Sequence, residues 1–224
     1  MKLLFVASDR MEFPGLLRRC RQVRTVSLAV DWARSGSLGE HEVLLVANGA
    51  GAARAAAAVD AVVKTFSPDA IVSLGFCGAL DPSLNIADVV VSTGSGVQVP
   101  SSAPPHRAGV VCSVDHVART AEEKRRLHAS GAVAVEMEAA GVAARAHALG
   151  VPFYCIKSVT DLAGETMAND FNAAMRPDGH FDTIGILKSS LRHPSVRLPE
   201  LVRLRKRCVR AASALGDFVA DCRF

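Results

Sequence analysis

Aromatic residues are scarce in this chain, at 5% of 224 positions with a single Trp and a single Tyr. There is also no Arg/Lys block interleaved with aromatics, and the formal net charge is only +4. A nucleic-acid partner, which needs a basic surface with stacking side chains, is therefore not expected. No CxxC pair exists: Cys20, Cys77, Cys112, Cys155, Cys208 and Cys222 stand alone, without the spacing of a metal site. That usage fits reduced thiols in a cytoplasmic protein and calls for no metal. Nothing approaches the ~20 apolar residues of a membrane span. The apolar run in the opening MKLLFVASDR is about five residues, short of the roughly 7–15 of a secretory signal, and reads as a first buried strand.

What is present is aliphatic. Half the residues are apolar, Ala and Val prominent among them, which suits helices stacked on a sheet in one domain spanning 1–224. Strands are expected at 2–7, 42–47, 70–75, 88–92, 109–112 and 151–159, with a short one ending in AVAVE at Glu136. Helix formers with an apolar face occupy 52–66 and 138–149. The strand runs are continuous, as in a sheet covered on both faces, and they alternate with helices, which points to an α/β layered fold. Residues 93–108, rich in Gly, Ser and Pro, read as a loop. From about 196 to 222, Leu201, Leu204, Cys208, Ala212, Leu215 and Val219 recur at helical spacing among Arg203, Arg205, Lys206, Arg207 and Arg210. This is a basic amphipathic helix, either docked on the domain with its charges in water or touching an anionic membrane surface.

Two glycine-bearing turns follow strands. In VANGAGAARAAAA, Gly51 opens a helix whose first amides suit an anion, and Arg54 lies one turn in. Gly49-x-Gly51-x-x-Arg54 lacks the third glycine of a dinucleotide fingerprint, and no ribose-binding acid ends the next strand. In SLGFCGALDPS, Gly75 and Gly78 flank Phe76 and allow close approach at a strand end. Acids gather at similar seams: Glu12 after the first strand, Glu136 and Glu138 around Met137 at a strand-to-helix junction, and Asp161 after Thr160 at the end of another strand. If the sheet is parallel there, all emerge at one edge, where open α/β sheets bind ligands.

LLFVASDRMEF, the Gly-x-Gly turn into an Ala-rich helix, SLGFCGALDPSLNIADVVVS and VAVEMEAAGVAARAHALGVPFYCIKSVTD occur in this order over residues 1 to about 165. With them the chain resembles the nucleoside phosphorylase/nucleosidase superfamily, which includes purine nucleoside phosphorylase, uridine phosphorylase and methylthioadenosine/S-adenosylhomocysteine nucleosidase. The resemblance implies a three-layer αβα sandwich around a mixed sheet, in a homo-oligomer. It also implies cleavage of the N-glycosidic bond of a purine nucleoside by phosphate or water, without an organic cofactor. By position, Glu138 would hold the ribose hydroxyls with Met137 against the sugar, and Glu136 would be a supporting neighbour. Asp161, with Thr160 beside it, would serve purine N7, and Glu12 would activate the attacking water. Gly75, Phe76 and Gly78 would line the substrate, while Gly51 and Arg54 would offer a phosphate contact. Ser73 stands where phosphorylases commonly carry a phosphate-binding arginine, which favours hydrolysis; the alternatives are a methylthioadenosine/S-adenosylhomocysteine nucleosidase and a nucleoside-binding module without catalysis. Residues 176–215 further resemble the hopanoid-associated phosphorylases, implying adenosylhopane as a substrate and a role in hopanoid biosynthesis.

Overall fold

The computed structural model describes all 224 residues. The first strand, β1 (Lys2–Ala7), leads into a single 3-10 turn at Arg10–Glu12, helix α1 (Pro14–Arg19), and strands β2 (Arg21–Thr25), β3 (Trp32–Leu38) and β4 (His41–Ala47). Helix α2 (Ala52–Val62) is followed by β5 (Ala70–Ala79), β6 (Val89–Ser92), β7 (Arg107–Ser113), α3 (Ala121–His128) and β8 (Ala132–Glu136). The chain finishes with α4 (Ala139–Leu149), β9 (Phe153–Asp161), α5 (Thr183–Ser190) and α6 (Pro194–Ala220).

All nine strands form one mixed sheet in the order β2-β3-β4-β1-β5-β8-β7-β6-β9, and β9 pairs again with β5, so the last five strands close into a ring. The alternation of side chains along β1 shows how the layers are made. Leu3, Phe5 and Ala7 point to one face, where Leu16 of α1 and Leu215, Phe218 and Val219 of α6 cover them. Leu4 and Val6 point to the other, beneath Ala55 and Val59 of α2 and Val142 and Ala146 of α4. Each fully buried Leu, Val or Phe contributes about 1.5–3 kcal/mol, so the two clusters hold the three layers together. The six cysteines are all free thiols. No helix is long and apolar enough to cross a membrane.

One expectation is corrected here. The acids share an edge although the sheet is not parallel at that point. β5 runs parallel to β9 along most of its length, then crosses antiparallel to β8, pairing Gly78 with Val135. Ten residues of β5 thus bridge two strands of opposite direction, and the ends of β8 and β9 meet around its C-terminal part. A register shift between Cys77 and Gly78 sets Gly78 opposite Asp161 and leaves Thr160 as the extra residue of β9. Such bulges re-aim the side chain that follows, which here is Asp161.

Candidate active site

A cavity of about 400 Å³ opens where β5, β8 and β9 converge, and α6 forms its far wall. Glu12, Glu136, Met137, Glu138, Thr160 and Asp161 all reach it, as do Phe76 and Gly78. Seven of these eight derive from the sequence motifs of β5, β8 and β9, and Glu12 comes from the turn after β1. The opposite half is apolar, with Phe171, Phe181, Ile186, Leu201, Leu204 and Cys208. The amphipathic tail therefore does more than dock: part of its apolar row is cavity wall.

Glu12 is held by its own turn. Asp9-x-x-Glu12 is a capping box, with the Asp9 side chain accepting from Met11 N–H and Glu12 Oε2 accepting from Asp9 N–H at 3.1 Å. Oε2 also accepts from the Ser8 amide at 2.9 Å and its hydroxyl at 3.1 Å, and Oε1 from the Phe76 amide at 2.7 Å. Gly75 is what admits this carboxylate: a Cβ there would sit 2.5 Å from Glu12 Oε1, and the backbone φ is +153°. Burial raises the Glu12 pKa, against the pull of Lys157 and these donors. A desolvated carboxylate with its donors fixed is a stronger base than an ordinary glutamate.

Glu136 and Glu138 differ although they are two residues apart. Burial would raise Glu136, but the Lys157 ammonium 2.9 Å away and the Ser113 hydroxyl outweigh it and hold its pKa below the usual range. Its Oε2 also accepts from the amides of Glu138 and Ala139 at 3.0 and 2.8 Å, pinning the start of α4. Glu136 is thus the anion that anchors the loop. Glu138, enclosed beside the same lysine and facing Glu136 and Glu12, is pushed up to about 7, chiefly by burial. Its carboxyl accepts one hydrogen bond, from Gly51 N–H at 3.0 Å.

Asp161 is raised above the usual carboxylate range, first by burial, with Lys124 opposing. Its Oδ1 receives the Thr160 hydroxyl at 3.2 Å, and Lys124 donates to Oδ2. Gly78 gives it room, since a Cβ there would lie 2.9 Å from Oδ2.

Three expected contacts are corrected. Arg54 lies outside the cavity, its guanidinium bonded to the Asp178 carbonyl and 3.8 Å from the Asp31 carboxylate. The Gly51 amide is already engaged by Glu138, so neither is free to hold phosphate. Gly75 shapes Glu12 from behind and does not itself line the cavity. Ser73 is fully enclosed in β5 and also away from the wall.

Sequence reasoning missed both buried lysines. Lys157 carried a visible signal, as the one charge inside the apolar run FYCIKSV of β9. Lys124 carried none, because the surrounding AEEKRRLH reads as a solvated helix.

The sequence profile of the phosphorylase superfamily matches residues 31–100 and 96–180. The chain belongs to the phosphorylase superfamily. Among the superfamily's curated members it is 28% identical over 194 residues to a 5′-methylthioadenosine/S-adenosylhomocysteine nucleosidase of Staphylococcus aureus, covering 70% of this chain and 85% of that one. It is also 28% identical over 174 residues to the nucleosidase of the same description from Pseudoalteromonas translucida, covering 61% and 74%. Among solved structures, the Neisseria meningitidis nucleosidase in complex with methylthio-immucillin-A superposes with a TM-score of 0.72 at 22% identity, over 98% of this chain and 97% of that one. Futalosine hydrolase of Helicobacter pylori does so with a TM-score of 0.67 at 19% identity, over 96% and 95%. At these identities the structures show a shared fold, a mixed central sheet with helices on both faces.

Proposed function

We propose that this protein hydrolyses the N-glycosidic bond of an adenine nucleoside. The observation that carries the reading is the meeting of Glu12, Glu138 and Asp161 on the wall of one cavity. The curated nucleosidases to which the chain is similar support it.

The chemistry follows from the three environments. Glu138 receives the ribose hydroxyls and favours positive charge on the ring as the C1′–N9 bond lengthens. Asp161 gives its proton to N7, so the bonding electrons leave on a neutral base; such transfer is typically worth about 10²–10⁴-fold. Glu12 takes a proton from the water whose oxygen bonds to C1′. One water is consumed, and adenine and a free sugar leave. The reaction as written draws on no metal and no organic cofactor.

Water is favoured over phosphate on charge. Five acids, Asp9, Glu12, Glu136, Glu138 and Asp161, reach the cavity against one arginine, Arg205, and one histidine, His116, and the buried Lys157 beside them is already shared among three. A phosphate dianion would meet like charge at the ionised ones, Glu136 first among them. Adenine release that requires phosphate would overturn the hydrolytic reading.

The apolar half of the cavity supports a hydrophobic 5′-substituent, from a thioether to a membrane lipid of the adenosylhopane kind. For the larger class there is one favouring surface. Ile184, Leu187 and Leu191 stand exposed along α5 and just beyond it, and Arg203, Lys206 and Arg210 line a groove on α6 together with the exposed Val202. Apolar residues with cations beside them suit an anionic bilayer. Co-sedimentation with phosphatidylglycerol vesicles, lost in a Leu187→Asp/Leu191→Asp variant, is the expected result; no sedimentation by the wild type would remove the membrane reading.

A further inference from the structure

Helix α3, Ala-Glu-Glu-Lys-Arg-Arg-Leu-His, is strongly polar, and Lys124 is its single buried residue. The Lys124 side chain is 0% exposed, against 11% for its partner Asp161. Its ammonium donates to Asp161 Oδ2 and, at 2.8 Å, to the Leu162 carbonyl. Lys124 does not reach the cavity, whereas Asp161 does. A helix that merely needed docking would bury Leu or Met at this position. Enclosing an ion pair costs several kcal/mol of desolvation per ion, and apolar replacement of such pairs is often neutral or stabilising. Packing therefore does not account for a lysine, and its partner is the acid that faces the leaving base.

Several charged or titratable groups face Asp161: Lys124 from α3, Glu165 from the following loop, Cys77 from β5, and Arg207 and Cys208 from α6. Arg207 is committed to Glu165 through two hydrogen bonds of 2.7 and 2.8 Å. Lys124 is the cation in direct contact.

We infer that Lys124 is a positioning residue for the leaving-group acid: it grips Oδ2 from outside the cavity, leaves Oδ1, which also accepts from the Thr160 hydroxyl, to serve the base, and governs how readily Asp161 takes and gives a proton. The inference rests on the reading of Asp161 given above. Without that ammonium, a buried carboxyl stays protonated to higher pH. Its orientation then rests on the Thr160 hydroxyl alone, and misplacement of about 1 Å can cost on the order of 10²-fold in rate. Substrate binding should be spared, because Lys124 lies outside the cavity.

Two variants separate charge from orientation. Lys124→Gln keeps donors for Asp161 and Leu162 but removes the charge; Lys124→Met removes both. The alkaline limb of kcat should move up by roughly 1 pH unit or more in each, by the usual size of a neighbouring-charge effect. The plateau of kcat should fall roughly 10–100-fold in Lys124→Met and less in Lys124→Gln, with KM within about twofold. Titration of the Asp161 carboxyl by ¹³C NMR, assigned by difference against Asp161→Asn, reads the same coupling without turnover. Folded variants with an unchanged pH profile and an unmoved carboxyl titration would reduce Lys124 to a packing residue. Should Lys124→Met fail to fold, the Lys124→Gln titration decides alone. A carboxyl that moves in a protein releasing no adenine would uphold the coupling and sink the reaction. Adenine release with an unmoved carboxyl would sink the role of Lys124 alone.

Discussion

At the scale of single residues, the site depends on three enclosed acids, Glu12, Glu138 and Asp161, all raised by burial and each held by different partners. Glu138 is the sharpest case, since its pKa of about 7 makes it a liability in the free protein. A carboxyl raised above its ordinary 4.5 binds more protons folded than unfolded, so its contribution to stability is lost as pH rises from about 4.5 through about 7. Glu138→Gln keeps an oxygen for the Gly51 amide and removes the charge. It should raise Tm at pH 8, by roughly 2–4 °C for each kcal/mol recovered, while lowering kcat/KM by two orders of magnitude or more; calorimetry and an adenine assay read both. Gly75→Ala tests the seat of Glu12, since its methyl would need the space of Oε1. The expected result is a loss of about 1–3 kcal/mol with kcat falling further than Tm accounts for, whereas a variant equal to wild type in kcat would show that Glu12 is not held there for catalysis. Among residues, the three acids were legible because they stand at motif seams; Lys157 was missed although its charge is out of place in a buried strand. Lys124 was not legible, since a lone inward lysine on a charged helix leaves no pattern.

At the scale of elements, the lining of the cavity depends on how the segment after β9 is tied to α6. Glu200 is the knot. It accepts from the amides of Ala168 and Asn169, both at 2.8 Å, and from the Asn169 side chain at 2.6 Å. The Ser190 hydroxyl of α5 completes the network on Asn169 at 2.7 Å. Glu200→Ala strands the backbone amides of Ala168 and Asn169, at about 1–3 kcal/mol each before water or rearrangement offsets the loss, while the Asn169 side chain keeps the Arg197 carbonyl at 3.1 Å. Because Met167 and Phe171 line the cavity from this segment, KM should rise several-fold more than kcat falls. An unchanged KM would separate the network from the site. The elements themselves were unevenly legible. β1, β4, β5 and β9 are apolar runs, and α2 and α4 are Ala-rich, so local composition sufficed. The hairpin of β2 and β3 was missed because RQVRT is exposed along its whole length and WARSGSL lacks alternation. Charges on such an edge strand discourage further pairing and hide the strand signal together. Helices α1, α3 and α5, of six to eight residues, are too short for periodicity to show.

At the scale of the whole molecule, the topology does what a parallel edge was expected to do. Closure of β5, β8, β7, β6 and β9 brings the ends of strands of opposite direction together, and long-range pairing of this kind leaves no local trace in sequence. The consequence is an acidic cavity with its arginine of expectation, Arg54, turned outward to Asp31 and the Asp178 carbonyl. Added inorganic phosphate should therefore neither accelerate the reaction nor yield a sugar phosphate, and Arg54→Ala should leave the phosphate response as flat as in wild type. A strict phosphate requirement, read by chromatography of the sugar product, would reassign the chemistry while leaving the fold intact.

The most direct test is release of free adenine in phosphate-free buffer. Methylthioadenosine, S-adenosylhomocysteine, adenosine and an adenosylhopane would be offered to wild type and to Asp161→Asn. The account predicts release from at least one of them by wild type and a loss of roughly 10²–10⁴-fold in kcat for the variant. No release from any of the four, with Asp161→Asn indistinguishable from wild type, would contradict it.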